Sequence, residues 1–304
     1  MDNRSRQEQS YVATIGVFDG VHRGHRYLIR QVKDEARRRD MQSMVVTFRN
    51  HPAHVLKPDS ALRLLATADE KAALLRSTGV DQVHWLDFSA QTARLPAPDF
   101  MRQVLLPLSV RVLIVGYDHH FGHPRQGEDF ASYRHYGQWL GIDVLQAGKM
   151  PGDPVSSTAV RQALLEGRVE VATAMLGRPY MLEGEVVGGH HVGTALGFPT
   201  ANLHLLDGAR LLVPRSGAYA VDVQVEGDPL VRRGMLNIGR RPTLDNGDDQ
   251  SVEVHIFDYC GNLYGRHLRV ELLHFLRPEQ RFSSLDQLQE QLVKDMAEIK
   301  GLQK

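Results

Sequence analysis

Short apolar segments alternate with helix-like segments between residues 11 and 146, and this alternation limits the fold more than any other feature of the sequence. Strand-like runs lie at residues 11–18, 44–48, 82–86, 111–116 and 142–146, and helix-like runs begin near Gly24 and cover residues 71–79 and 128–140. Strands that alternate with helices in this way predict a parallel α/β sheet. Ligands of such sheets bind at the carboxyl ends of the strands.

The pattern changes near residue 180, where short strand-like segments separated by turns replace the helices. The segment GAYAVDVQV at 217–225 alternates apolar and polar residues, which predicts an antiparallel barrel or sandwich. A last amphipathic segment predicts a helix that Ser284 caps, with Leu285, Leu288, Leu292 and Met296 in one stripe. We therefore predict two domains, residues 1–180 and 181–304.

The composition limits the partners and the compartment. Lysine plus arginine and aspartate plus glutamate each number 36 among 304 residues, and this balance argues against a nucleic acid or a membrane as the main partner. The single cysteine, Cys260, excludes a disulfide framework and favours a reducing compartment. The first ten residues are polar and suggest no secretory signal. We expect a soluble cytoplasmic protein.

The segment from Gly16 to His25 is the first candidate site, because it joins a buried strand to a helix. Its glycines allow close approach of the backbone to a ligand, and the start of the helix offers free N–H groups to a phosphate. His22 and His25 add donors for developing negative charge. Adenylyl transfer requires little more than such a phosphate clamp and an aligned attacking group. The alternative is a glycine turn with two incidental histidines, which the strand-to-helix setting disfavours.

A second segment, Ser156 to Arg161, opens another predicted helix. Its Ser-Ser-Thr cluster supplies a cap and a possible anion site, and Arg161 is able to bind a phosphate through two hydrogen bonds. Taken alone, this segment is better explained as an ordinary helix cap.

The third candidate site is a glycine-rich stretch at 184–203. Thr200 and Asn202 lie on the same side of an extended segment and supply the hard oxygen ligands that suit Mg²⁺. The chain has no GxxxxGK[ST] motif, so it is not a P-loop kinase. Glu253 alternates with two valines in a predicted strand and is a candidate base. Spacing alone leaves it facing either a pocket or solvent, and favours solvent.

Together these segments resemble the HxGH nucleotidyltransferases. The longer motif GVFDGVHRGHRYLI is similar to that of the bacterial bifunctional riboflavin kinase/FMN adenylyltransferase family. The stretches at 46–52 and 115–127 resemble two further adenylyltransferase motifs, with Asn50 in place of a proline and His119 in place of a phenylalanine. The segments LGFPTAN, GMLNIGRRPT, VEVHIFD and 263–288 resemble the riboflavin kinase module in order, with Thr194 where arginine is frequent. The resemblance covers residues 11–299.

The resemblance implies a role for each matching residue. In adenylyl transfer, His22, His25 and Arg161 would be catalytic, and the ATP-binding residues would be Gly16, Phe18, Asp19, Gly24, Ser156, Ser157 and Thr158. The flavin and its phosphate would lie among Phe48, His51, Pro52, Asp118, Phe121 and Arg125. In the kinase half, Glu253 would be the base, and ATP would bind at Gly193, Thr200 and Asn202, the last two also holding Mg²⁺.

The implied fold is a Rossmann-like α/β nucleotidyltransferase domain followed by a six-stranded antiparallel β-barrel with a C-terminal helix. The implied partners are riboflavin, FMN and ATP, with Mg²⁺ as cofactor, and the implied products are FMN and FAD. Three alternatives remain. His119, His120 and His123 suggest zinc, although only Asp118 is available nearby to complete the ligand set. A second alternative is that only one of the two halves is an active enzyme. A third is that the chain is a flavin or nucleotide carrier that does not turn over.

Overall fold

The computed structural model describes residues 9–116, 121–122, 128–188, 197–208, 210–240 and 250–302. The chain packs into two compact units, one formed by Met1–Leu62 and Ala68–Val155 and the other by Arg63–Thr67 and Ser156–Lys304. Among the described residues, no helix has the length and apolar character needed to cross a membrane.

The first unit contains a five-stranded sheet whose neighbouring strands are all parallel, in the order β3-β2-β1-β4-β5. Its strands are β1 (Tyr11–Ile15), β2 (Gln42–Phe48), β3 (Gln82–Leu86), β4 (Val110–Val115) and β5 (Asp143–Gln146). Its helices are α1 (Arg23–Arg38), α2 (Pro52–Leu56), α3 (Ala68–Arg76), α4 (Ala90–Ala93), α5 (Ala97–Phe100) and α6 (Phe130–Leu140). The predicted parallel α/β sheet is confirmed. The strand order reverses between β1 and β4, so the carboxyl end of β1 lies where ligands of such sheets bind.

Helix α1 forms because its apolar positions recur at helical spacing. Ile29, Val32 and Ala36 are buried against the sheet layer. Arg37 and Arg38 occupy the last turn, where positive charge interacts favourably with the helix dipole. These contacts hold α1 against the sheet, and the first turn of α1 carries the candidate site.

The second unit is a closed six-stranded barrel with the strand order β10-β7-β6-β11-β8-β9, as the family resemblance implied. The strands are β6 (Tyr180–Val187), β7 (Ala201–Leu205), β8 (Gly217–Val225), β9 (Val231–Arg240), β10 (Gln250–Ile256) and β11 (His267–Pro278). All pairs among these strands are antiparallel. Alternate residues of β8 pack into the barrel interior: Tyr219, Val221, Val223 and Val225.

Two helices and a short segment extend the second unit beyond the barrel. Helices α7 (Ser157–Leu165) and α8 (Val169–Leu176) bury Val160, Leu164 and Leu176 in the same core as the barrel strands. Residues 63–67 join this unit through a parallel bridge between Leu64 and Leu211. By packing, residues 156–176 therefore group with the barrel, because the apolar faces of α7 and α8 are buried in its core.

The C-terminal helix α9 (Leu285–Gly301) begins as predicted, with the Ser284 hydroxyl accepting a hydrogen bond from the Gln287 N–H at 3.3 Å. Leu292 and Met296 pack against the outer face of the barrel. Leu285 was expected in the same stripe, but its side chain is 57% exposed. It lies in the first turn, beyond the surface that the rest of the helix covers.

Candidate active sites

The turn that follows β1 has an unusual backbone. Phe18 and Val21 have φ angles of 53° and 41°, in the left-handed region, and Gly20 between them has 73°. A β-branched residue in this region costs about 1–3 kcal/mol and persists only where the surrounding structure holds it. Such strain is typical of functional loops. Here it leads directly into α1 and its two histidines.

His22 caps α1, and His25 stacks on it. The Nδ1 atom of His22 accepts a hydrogen bond from the His25 backbone N–H at 3.3 Å, and the ring centroids lie 3.6 Å apart. Since Nδ1 is an acceptor, a neutral His22 carries its proton on Nε2. His22 is buried, 5% exposed. The arrangement offers a ring donor at the start of a helix, where the helix dipole also favours a phosphate.

Gly24 leaves the space that this cap requires. A Cβ atom there would lie 3.2 Å from the His22 ring and 3.5 Å from the carbonyl oxygen of Val155. Gly16 is similarly tight, since its Cβ would lie 3.1 Å from the Phe18 ring. Phe18 and Asp19 are both buried beside this cap.

The end of the neighbouring strand β2 carries part of the predicted flavin site. Phe48 is buried and packs edge-on against Phe88, with ring centroids 5.3 Å apart. His51 caps α2 by accepting the Ala53 N–H at 3.1 Å, and Pro52 is the first residue of that helix. Because β1 and β2 are adjacent and parallel, both loops leave the same edge of the sheet.

Asn50, which stands where the family has proline, orders this loop in another way. Its side-chain amide donates to the Phe88 carbonyl and accepts from the Phe88 N–H, both at 2.9 Å. These two hydrogen bonds join the loop after β2 to the loop after β3. The substitution therefore replaces the rigidity of a proline ring with a paired amide.

The loop after β4 contributes one described residue of the predicted flavin set. Phe121 is buried in the core of the first unit, with its ring stacked on Tyr133 at 4.8 Å between centroids. Other residues that the sequence singled out lie outside the described residues: Asp118, His119, His120, His123, Arg125, Gly193 and Thr194.

The Ser156–Arg161 segment forms the start of α7 in the second unit. The Ser156 hydroxyl accepts the Ala159 N–H at 3.1 Å, which confirms the predicted cap. Ser157 and Thr158 are the first two residues of the helix. Arg161 is oriented by its Nε atom, which donates to the Arg63 carbonyl at 2.7 Å. The side chain is thus directed by the short segment that joins the barrel unit.

In the barrel, Glu253 faces away from the core. Its neighbours Val252 and Val254 are buried in the barrel interior, so alternation directs Glu253 to the other face of the sheet. Asn202 of β7 and Asn237 of β9 are its register partners on either side. The Thr200 hydroxyl donates to the Glu253 carboxylate at 3.3 Å.

The face of the barrel that carries Glu253 forms a pocket. Residue spacing alone had favoured exposure of Glu253 to open solvent. A cavity of about 240 Å³ is lined by both polar and apolar side chains, including Thr200, Asn237, Glu253, His255, Arg277, Glu279, Phe282 and Leu288. Sequence reasoning had not singled out Asn237, His255, Arg277 and Glu279. The sequence signal for Asn237 was its position in an alternating strand. The His255 Nδ1 atom is 2.8 Å from the Pro199 carbonyl and so orders the segment before Thr200.

The donor set around Glu253 fits a hydrated divalent cation that also binds phosphate. Thr200 and Asn202 offer a hydroxyl and an amide oxygen beside the Glu253 carboxylate, and Mg²⁺ is bound by hard oxygen ligands that usually include substrate phosphates and water. Asn202 is 7% exposed. Within the described ranges, no group of three or more His, Cys, Asp or Glu side chains is placed to hold a metal ion.

A buried ion pair attaches α9 beside this cavity. The Arg277 guanidinium donates to the Asp295 carboxylate through Nε at 3.0 Å and Nη2 at 2.7 Å. Gln291 donates to the same carboxylate at 2.8 Å. Asp295 is 2% exposed, so its charge depends on these partners. Arg277 also lines the cavity, and thus the pair links the helix to the site.

We expect Asp295→Asn to destabilise the barrel unit by about 1–3 kcal/mol, because the substitution leaves the partly buried Arg277 cation without its counter-charge. Urea unfolding followed by circular dichroism measures the shift of the midpoint. Asp286→Asn is the control, since Asp286 is exposed in the first turn of the same helix, where its loss costs about 0.3–1 kcal/mol. Equal midpoints for the two variants would contradict the prediction.

Two protein-family models match the chain, one in its first half and one in its second half. A family model described as FAD synthetase matches residues 4–159, and one described as riboflavin kinase matches residues 176–302.

Two similar proteins cover nearly the whole chain, and both are called bifunctional riboflavin kinase/FMN adenylyltransferase. That of Escherichia coli (strain K12) is 41% identical over 292 residues, which cover 95% of this chain and 91% of that protein. That of Pseudomonas fluorescens is 37% identical over 304 residues, which cover 99% of this chain and 96% of that protein. A crystal structure from Streptococcus pneumoniae, described as a macrolide-efflux protein, matches with a TM-score of 0.87 and 32% identity, covering 97% of this chain and 95% of that one.

Proposed function

The chain belongs to the family of bifunctional riboflavin kinases/FMN adenylyltransferases, and we propose the residues that carry out its two reactions. The enzyme phosphorylates riboflavin to FMN with ATP and then adenylylates FMN to FAD. The observation that carries the kinase assignment is the register of Glu253 with Asn202 beside Thr200, on the cavity face of the barrel. The observation that carries the adenylyltransferase assignment is the His22 cap stacked on His25.

In the kinase reaction, Glu253 is the general base. Its carboxylate accepts the proton of the riboflavin 5′-hydroxyl, whose oxygen attacks the γ-phosphorus of ATP, and ADP leaves. The hydrogen bond from Thr200 orients the carboxylate before substrate arrives. Apolar walls such as Phe282 and Leu288 exclude water from the reacting hydroxyl.

The cofactor of the kinase reaction is a divalent metal, and we propose Mg²⁺ held at Thr200 and Asn202. When bound, it neutralises phosphate charge and favours in-line transfer. Asn202 is held on the strand that pairs with Glu253, so its amide shares the face of the base. Gly193 would complete the nucleotide contacts by family resemblance.

In the adenylyltransferase reaction, an FMN phosphate oxygen attacks the α-phosphorus of ATP and pyrophosphate leaves, with no covalent enzyme intermediate. The Nε2–H of His22 and the ring of His25 stabilise the charge that develops on the phosphate oxygens. Arg161, Ser157 and Thr158 bind the ATP phosphates, with Ser156 as the helix cap. The glycines at 16 and 24 allow the backbone to approach the nucleotide, and Phe18 and Asp19 shape its loop.

The flavin of FMN binds at the loops after β2 and β4. We assign Phe48, His51 and Pro52 to the first loop, and Asp118, Phe121 and Arg125 to the second. Arg125 suits the FMN phosphate, because a guanidinium binds phosphate through two parallel hydrogen bonds. The adenylyltransferase domain would span residues 1–180 and the kinase domain 181–304, in a cytoplasmic protein whose substrates are small molecules.

Incubation with riboflavin, ATP and Mg²⁺, followed by separation of the flavins, tests the whole assignment. FMN followed by FAD is the expected result. FMN alone would mean that only the kinase half is active, and riboflavin that stays bound and unchanged would mean a carrier. Replacing Mg²⁺ with a chelator should stop FMN formation.

A further inference from the structure

A buried lysine lies beneath the adenylyltransferase site and has no part in the mechanism above. Lys71 of α3 is 8% exposed, although lysine is rarely buried this deeply. Its Nζ atom donates to the Phe48 carbonyl at 2.7 Å and lies 3.5 Å from the Val17 carbonyl. The ammonium also stands 5.2 Å from the centre of the Trp85 ring. Burying a charge is costly, so these contacts must offset a large desolvation penalty.

The two carbonyl groups belong to the two loops that the reaction needs. Val17 lies in the loop after β1, which leads to His22. Phe48 ends β2 and leads to His51. A single ammonium therefore bridges the nucleotide loop and the flavin loop where they leave the sheet. The Thr47 hydroxyl reinforces this bridge by donating to the same Val17 carbonyl at 3.2 Å.

The Val17 carbonyl is part of the peptide that precedes Phe18, whose φ angle is 53°. The orientation of that peptide plane sets the φ angle of Phe18, so a bond to its oxygen opposes relaxation of the strained turn. Phe18 itself is buried, which also opposes rearrangement of the turn.

Lys71 also interacts electrostatically with the loop after β1. Burial lowers the pKa of the Lys71 ammonium, and attraction to the Asp19 carboxylate partly offsets that effect. Asp19 follows Phe18 directly and is itself 5% exposed. The Lys71 ammonium therefore interacts with the residues on both sides of Phe18, the Val17 carbonyl and the Asp19 carboxylate.

We propose that Lys71 is a positioning residue for adenylyl transfer, holding the loop after β1 and the loop after β2 in one geometry. The proposal rests on the assignment of His22 and His51 to that reaction. It gives Lys71 no contact with substrate: its effect on the reaction passes through the two backbone carbonyls.

The test is Lys71→Met in the full chain, which keeps an unbranched side chain only one atom shorter and removes the charge and the donors. We expect the KM values for both FMN and ATP to rise and kcat for FAD formation to fall about tenfold or more, because small displacements of aligned groups have large effects on rate. Riboflavin kinase activity should stay at the wild-type level, since the barrel carries it.

Lys33→Met is the matched control. Lys33 also donates to a backbone carbonyl, that of Thr78, at 2.6 Å, but it contacts neither loop. It should leave both KM values unchanged. A purely structural role of Lys71 would lower the active fraction, and hence kcat, with KM unaltered. Unaltered KM values in Lys71→Met would therefore overturn the proposal, as would an equal effect of Lys33→Met.

A second variant keeps the test decisive if Lys71→Met does not fold. Lys71→Arg retains a cation with donors, but the larger guanidinium displaces at least one of the two carbonyls, so the KM for at least one substrate should rise. Wild-type KM values for both substrates in Lys71→Arg would count against the proposal. Wild-type protein that forms no FAD from FMN would instead overturn the assigned adenylyltransferase reaction.

Discussion

Glu253→Gln is expected to reduce FMN formation by about 10²- to 10⁴-fold, the range for removal of a general base. The amide keeps the size of the side chain and its place among Thr200, Asn202 and Asn237, but it does not accept the hydroxyl proton. The conversion of added FMN to FAD should persist, since none of the groups assigned to that reaction lines the cavity at Glu253. Separate assays from riboflavin and from FMN measure the two reactions.

Glu185→Gln is the control for this substitution, because Glu185 is an exposed carboxylate on β6, away from the cavity. It should leave both reactions unchanged. Survival of FMN formation in folded Glu253→Gln would exclude Glu253 as the base. Loss of both reactions in a folded protein would show that the effect of Glu253 is not specific to the kinase reaction, and would contradict its assignment as the base of that reaction.

His25→Ala is expected to produce the reverse pattern. Loss of one charge-stabilising donor lowers the rate of adenylyl transfer by about 10²- to 10³-fold. The substitution also removes the ring that stacks on His22 at 3.6 Å and meets Phe18 at 5.1 Å, so the orientation of His22 should loosen as well. Riboflavin should still be phosphorylated, and FMN should accumulate in place of FAD.

His135→Ala is the matched control, since His135 is an exposed histidine on α6 of the same unit. Adenylyl transfer at the wild-type rate in His25→Ala would remove the residue from the mechanism. An unaltered KM for ATP together with a lowered kcat would indicate a role in the transition state rather than in substrate binding.

Much of the site follows from local sequence, because helix caps and strand alternation depend on near neighbours. The cap by His22, the cap by Ser156 and the outward direction of Glu253 depend only on residues a few positions away. The motif resemblance then identified the chemistry. These parts of the site were therefore accessible from the sequence.

Other features depend on residues far apart in the chain. Spacing favoured solvent for Glu253, yet residues of β8, β9, β11 and α9 enclose its face in a cavity. The helical pattern of 157–176 gave no sign that α7 and α8 bury their apolar faces with the barrel. Leu285 matched the stripe by spacing but extends past the surface that α9 covers.

Sequence alone was enough to predict the order of the two units, the turn at His22-Arg23-Gly24-His25 and the strand that carries Glu253, since each follows from local geometry and from motifs. The residues that surround these features became known from the packing of the folded chain. The Arg277–Asp295 pair joins residues 18 positions apart, and Lys71 reaches carbonyls 54 and 23 positions away. Such contacts depend on which elements pack together, because burial and charge compensation are properties of the assembled core and not of neighbouring residues.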